Sequence, residues 1–246
     1  MTILDEIESN GRWLFRWRGY IPVLLPALAA LAMLIGRVAG KLQVPDYAWE
    51  EVCLGISGLG LAVRAFAIGH TPAGTSGRNA REQRAVELNT SGIYSVVRHP
   101  LYLGNFFLML GVILFAESLW LTVFFVLSFW LYYERIMAAE ESFLKQVFGA
   151  RFEAWARTTP AFVPRFSQWR PSDLHFSLKN VLRREYNGFF AVFLSMFILD
   201  VARNIALHGR VEADSRWTIL LGLAMSIWLV LRSLKRYTSL LRVAGR

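Results

Sequence analysis

The 246-residue chain is 55% hydrophobic and 18% charged, against roughly 25% charged in an ordinary soluble domain. Its 18 Phe and 9 Trp exclude disorder, collagen and coiled coil. A net charge of +9 would raise nucleic acid as a partner of a soluble protein, but uncharged runs at 20–36, 101–116, 119–133, 188–199 and 217–231 leave no polar face for soluble helices. The chain therefore reads as an all-α, polytopic membrane helix bundle with no nucleic-acid partner. Asp5, Glu6 and Glu8 precede the first apolar run and no small-residue cleavage site follows it, so the start does not read as a cleaved signal. Six spans are expected, near 20–37, 52–69, 101–116, 119–133, 188–207 and 217–231, the third and fourth forming a hairpin that turns at Glu117-Ser118. Several are shorter than the ~20 residues that cross hydrocarbon. Cys53, the single cysteine, lies in the second span as a small core residue, and no internal disulfide is available to it.

Charge orients the bundle. With a cytoplasmic N-terminus, 21 of the 27 Lys and Arg fall on the inner side; Arg37, Lys41, Arg210 and Arg216 fall outside, and Arg64 and Arg203 lie within spans. That imbalance follows the positive-inside rule and puts both termini and both long loops in the cytoplasm. Arg64, Asp200 and Arg203 are costly in hydrocarbon and should face the bundle interior. Asp200 and Arg203, spaced i, i+3, are expected to pair with each other. Gly36 and Gly40 form a small-residue pair without functional weight.

The two long loops are unlike the rest. The first, 71–100, carries turn signals at Pro72, Gly74, Gly77 and 89–92 and ends at His99-Pro100, where a helix should open with unsatisfied N–H groups that welcome an anion. The second spaces Ile136, Phe143, Leu144, Val147, Phe148 and Phe152 as one face of an amphipathic helix, broken at Thr158-Thr159-Pro160. The hairpin between the loops forces them to be neighbours. Singly, Tyr94 and Tyr102 read as interfacial anchors, His99 as a helix-entry hydrogen-bonder, and Glu140 and Glu141 as a solvated face. Four scattered histidines and one cysteine within a span predict no metal site.

In combination these residues carry a resemblance. Gly92-Ile93-Tyr94, Arg98-His99-Pro100-x-Tyr102-x-Gly104, the hairpin, Glu140-Glu141-x-x-Leu144-x-x-x-Phe148-Gly149, Thr159-Pro160 and Pro164 together resemble the integral-membrane methyltransferases, which include isoprenylcysteine carboxyl and phospholipid N-methyltransferases. The resemblance covers 79–164. It implies S-adenosylmethionine as methyl donor and a lipid or lipid-linked acceptor. It also implies cofactor contacts at Glu87, Leu88 and Asn89, at Tyr94, at the turn His99-Pro100-Leu101-Tyr102, and at Glu140, which would hold the cofactor's ammonium. The prenylcysteine branch has a substrate-binding arginine one helical turn before that glutamate. Here Ile136 takes the position and Arg135 is the nearest arginine, a departure that counts against a prenylcysteine acceptor. The organisation expected is spans one and two in 1–70, a methyltransferase core in 71–166 and a C-terminal transmembrane pair in 167–246.

An ionised oxygen acceptor needs no general base, whereas an amine must first lose a proton. No residue is an obvious base and the inner loops are strongly basic, so the acceptor is expected to carry an anionic oxygen, phosphate or carboxylate. Arg98 and Arg135 are the candidates to hold it through the guanidinium fork. Three other readings stay open: a phospholipid amine N-methyltransferase, an NADPH-dependent membrane reductase, and a small-molecule transporter. A transporter would be expected to show internal repeats, and none is visible.

Overall fold

The computed structural model describes residues 3–19, 21–38, 46–72, 85–243 and 245. Their helices, in chain order, are α1 (Ile3–Trp17), α2 (Leu25–Val38), α3 (Tyr47–Gly69), α4 (Pro100–Leu114), α5 (Leu119–Phe148), α6 (Ala150–Thr158), α7 (Leu178–His208) and α8 (Ser215–Tyr237). Short 3-10 turns lie at Ile21–Leu24, Ile93–Ser95 and Phe166–Gln168. Among the described residues no β-strand forms; one isolated bridge pairs Gly92 with Arg170.

Local chemistry sets the helix starts. Asp46, Ser118, Ser177 and Asp214 accept hydrogen bonds from the first-turn N–H groups of α3, α5, α7 and α8, satisfying donors that have no partner inside the helix. α4 opens on Pro100 directly after His99. Four helices, α3, α5, α7 and α8, are long and apolar enough to cross a membrane; α2 and α4 are apolar but shorter. With 15 residues α4 is about 22 Å long at 1.5 Å per residue, which falls short of a ~30 Å hydrocarbon core. The six expected spans thus match α2, α3, α4, α5, α7 and α8, two of them below crossing length.

α3 lies along α4, α1 against α5, and α7 against α2, α3 and α8. The α3–α4 crossing is close because it is made through glycine. A Cβ on Gly60 would stand 2.4 Å from the Leu108 nitrogen, and one on Gly111 would stand 2.3 Å from the Cys53 carbonyl oxygen. Cys53 itself is fully buried, as a core residue.

Two expectations need correction. α5 is a single 30-residue helix running from the hairpin turn through 136–148, so this stretch is not a separate surface helix. A further break comes at Gly149, whose φ of 52° and ψ of −127° suit only glycine; α6 then continues to Thr158, where the expected Thr158-Thr159-Pro160 break ends it. Asp200 and Arg203 do not pair with each other. Arg203 donates to Glu50 at 2.7 Å, and Asp200 accepts from the Asp214 backbone N–H at 2.8 Å. α1, not anticipated, seats Gly11 against the Arg135 carbonyl, where a Cβ would come within 2.0 Å of the oxygen. Gly40, Gly74 and Gly77 lie outside the described residues.

Candidate active site

The RHP turn is held from both sides. The backbone N–H groups of Arg98 and His99 donate to the carbonyls of Pro160 at 2.9 Å and Ala161 at 3.1 Å, and Arg165 N–H returns to Val96 at 2.9 Å. The segment after α6 therefore runs beside the entry to α4, which explains why Thr159-Pro160 and Pro164 follow the glutamates at a set distance. Val96 and Val97 are buried under it.

The two adjacent glutamates of α5 meet this turn differently. Glu141 accepts from Arg98 Nε at 2.9 Å and Nη2 at 3.3 Å, and its Oε1 lies 2.9 Å from His99 Nε2. Arg98 Nη1 also donates to the carbonyls of Ala156 at 2.6 Å and Thr159 at 3.0 Å. Four of the five guanidinium N–H groups are thereby used. Glu140 accepts from the Tyr102 hydroxyl at 2.9 Å, with His99 Nδ1 3.7 Å away. His99, 6% exposed, stacks on Tyr102 at 5.6 Å between ring centroids, and Tyr102 meets Tyr133 at 4.9 Å.

These groups open onto a cavity of about 840 Å³. Glu87, Leu88, Asn89, Tyr94, His99, Pro100, Leu101, Tyr102 and Glu140 all line it. Leu88 is anchored by Phe152 and Trp155, and Trp155 Nε1 donates to the Tyr94 carbonyl at 3.0 Å. Burial, with the Glu140 carboxylate next in effect, pushes the Tyr94 phenol up to about 12, so at neutral pH it is an uncharged donor. Glu141 stands behind the wall. Arg98 lines the cavity, but four of its five donors are committed to Glu141 and to backbone. Arg135 is apart from it, donating to Leu131 of its own helix at 2.7 Å.

Residues 56–151 match the family model described as phospholipid methyltransferase. The nickel-cobalt-cadmium resistance protein NccN of Alcaligenes xylosoxydans xylosoxydans is 31% identical over 194 residues, 79% of this chain and 84% of that protein. The protein-S-isoprenylcysteine O-methyltransferase of Schizosaccharomyces pombe is 27% identical over 168 residues, 64% and 70% of the two chains. The chain belongs to the integral-membrane methyltransferase superfamily. A shorter match, 45% identical over 83 residues, joins it to the cobalt-zinc-cadmium resistance protein CzcN of Cupriavidus metallidurans, over 34% of this chain and 38% of that one. No solved structure matches.

The cavity continues past the motif residues. Arg64, Asn105, Arg184 and Glu185 line its far side, and Arg18 at the end of α1 lines it too. Arg64 Nε and Nη2 donate to the two Glu185 oxygens at 2.7 and 2.8 Å, and Arg64 Nη1 donates to the Asn105 side-chain oxygen. Asn105 in turn donates to the Tyr133 hydroxyl at 3.1 Å. Only Arg64 of this set stood out in the sequence, as a charge within a span. Such a charge requires a partner, which was the available signal for Glu185. Ile136, at the position where the prenylcysteine branch carries arginine, is fully buried. Among the described residues, no group of three or more His, Cys, Asp or Glu side chains could hold a metal ion.

Proposed function

We propose that the protein transfers a methyl group from S-adenosylmethionine to an anionic oxygen of a lipid or lipid-linked acceptor at the cytoplasmic membrane surface. The observation that carries this reading is the convergence of nine residues from three separated segments on one cavity wall. The chemistry of that wall suits the cofactor. Glu140 offers a carboxylate to an ammonium, and the Leu101 N–H in the first turn of α4 suits a carboxylate, the Tyr102 and Leu103 N–H groups being used by the His99 carbonyl. Tyr94 and Trp155 offer aromatic faces to a sulfonium. The bound cofactor would supply an activated methyl group for in-line displacement. The chain's own task is to align the acceptor and exclude water.

The names of the relatives bear on the acceptor. S-isoprenylcysteine O-methyltransferases are named for an oxygen acceptor, which supports the anionic oxygen. The matched family is described by phospholipids, which supports a lipid body and favours a phospholipid amine as the second reading. NccN and CzcN are named for metal resistance, and we assign no metal chemistry from those names. Membranes containing the protein, incubated with methyl-labelled S-adenosylmethionine and extracted into organic solvent, should yield a labelled lipid ester with a rate flat between about pH 6 and 8. A labelled aminolipid formed at a rate rising steeply with pH would select the amine reading instead.

A further inference from the structure

The far side of the cavity carries a polar cluster and an apolar face that the motif does not use. α7, which lies beyond the matched segment 56–151, contributes Arg184, Glu185, Asn187, Gly188, Ala191, Leu194, Ser195 and Ile198 to the lining. These recur at three- and four-residue intervals and so form one helix face, about 21 Å long at 1.5 Å per residue. Its first turn is charged and the remainder is apolar, because the Ser195 hydroxyl is used by the Ala191 carbonyl at 2.6 Å. Val23, Leu25, Pro26 and Ala27, at the start of α2, line the same cavity.

We propose that this half of the cavity is the acceptor's seat: an anionic oxygen docks on Arg64, and its hydrocarbon chain lies along α7 beside the start of α2. The proposal rests on the methyltransfer reading above and assigns the acceptor site within it. A guanidinium has five N–H groups. Glu185 takes two of Arg64's and Asn105 takes one, which among the described residues leaves two for a ligand. The paired Glu185 fixes the plane of the guanidinium, so these donors are oriented before the acceptor arrives. Room for the arginine comes from the motif glycine: a Cβ on Gly104 would stand 2.4 Å from Arg64 Cγ. The seat reaches the cofactor side through Asn105, Tyr133 and Tyr102, whose hydroxyl ends on Glu140. Arg98, with four of its five donors already committed, and Arg135, turned onto its own helix, are thereby replaced as candidates for the anion.

The test is binding of dodecyl phosphate to the purified full-length chain in a neutral detergent, with inorganic phosphate as the tailless control and S-adenosylhomocysteine as the probe of the other half. Dodecyl phosphate should bind the wild type. Arg64→Lys, which keeps the charge and loses the fork, should weaken that binding about tenfold. Ala191→Trp, which fills the apolar half, should weaken it similarly, and both variants should keep S-adenosylhomocysteine affinity within about twofold. Unchanged dodecyl phosphate binding in either folded variant overturns the seat, as does inorganic phosphate binding the wild type equally well. Should Arg64→Lys fail to fold, Ala191→Trp and Asn105→Ala decide. Lipid labelling by the wild type is scored separately. A protein that binds dodecyl phosphate through Arg64 yet transfers no methyl refutes the methyltransfer reading, whereas transfer without an Arg64 effect refutes only the seat.

Discussion

Replacing Glu140 by Gln removes the carboxylate that faces the cavity while keeping its size, and the Tyr102 hydroxyl still finds an oxygen. S-adenosylhomocysteine affinity should fall about tenfold, as expected for loss of a charge-assisted hydrogen bond, with little change in melting temperature. Glu141→Gln should behave in the opposite way. Its carboxylate is bound by Arg98 and His99 behind the wall, so the change should cost about 2 kcal/mol of stability and disturb cofactor affinity less; thermal unfolding and titration calorimetry of the two variants separate these effects. Tyr94 adds a pH statement. With its phenol pushed up to about 12, the proton is kept more tightly in the folded state than at the ordinary value near 10. Its contribution is therefore complete below pH 10 and lost as pH rises toward 12, and cofactor binding followed from pH 6 to 9 should show no step due to Tyr94. At this scale the sequence was legible where a residue belonged to a spaced motif. Arg135 stands in a basic loop, next to the position where the prenylcysteine branch carries arginine, and neither fact tells which side of a helix a residue occupies.

Helix crossings decide the next set of outcomes. Gly60 and Gly104 stand where α3 and α4 touch, and an alanine methyl at Gly60 would meet backbone atoms of Leu108 and Gly104 at 2.4 and 2.5 Å. Gly60→Ala should destabilise by about 1–3 kcal/mol, the usual range for overpacking, whereas Gly222→Ala, with nothing within 4 Å, should be neutral or slightly stabilising by thermal unfolding. Gly149→Ala should cost about 1–2 kcal/mol from backbone strain alone, because its added methyl meets nothing. Periodicity found the apolar helices well, since uncharged runs need no partner to be recognised. It failed on α5, where an apolar transmembrane pattern passes into an amphipathic one without a break in the backbone. It also missed α1, whose buried face is made in part by Gly11, a residue that reads as a helix breaker until the Arg135 carbonyl opposite it is known.

The bundle as a whole joins two halves of chain at two ion pairs, the half-buried Arg64–Glu185 toward the cavity and the buried Arg203–Glu50 away from it. In the second, Glu50 also accepts from Trp217 Nε1 at 2.9 Å, and the Arg203 guanidinium lies 4.4 Å from the Phe115 ring centroid. Each intramembrane arginine calls for a partner, but the partners lie far apart in sequence, and the i, i+3 spacing of Asp200 and Arg203 offers a nearer alternative. Breaking such a pair from one side leaves an uncompensated buried charge, so Glu50→Ala should lower stability by about 3–5 kcal/mol while leaving the cavity intact. S-adenosylhomocysteine at a hundred times its dissociation constant should stabilise the wild type by about 2.7 kcal/mol; stabilisation by NADPH in its place would return the reductase reading.

The pinning of the RHP turn also dictates when, during synthesis, the proposed cofactor site can first form. Arg98 waits for Glu141, 43 residues later, and for the Ala156 carbonyl, 58 residues later; Arg64 waits 121 residues for Glu185. A nascent chain that has inserted α3 and α4 therefore carries most of the motif but none of its supports. Contacts of such long range form late and slowly, so the cofactor cannot template the early steps of insertion and can reward only a nearly finished molecule. An arrest before α5 and α6 are made should leave a membrane-embedded intermediate blind to S-adenosylmethionine, and one before α7 enters the bilayer should leave Arg64 without Glu185, as a charge that quality control can recognise.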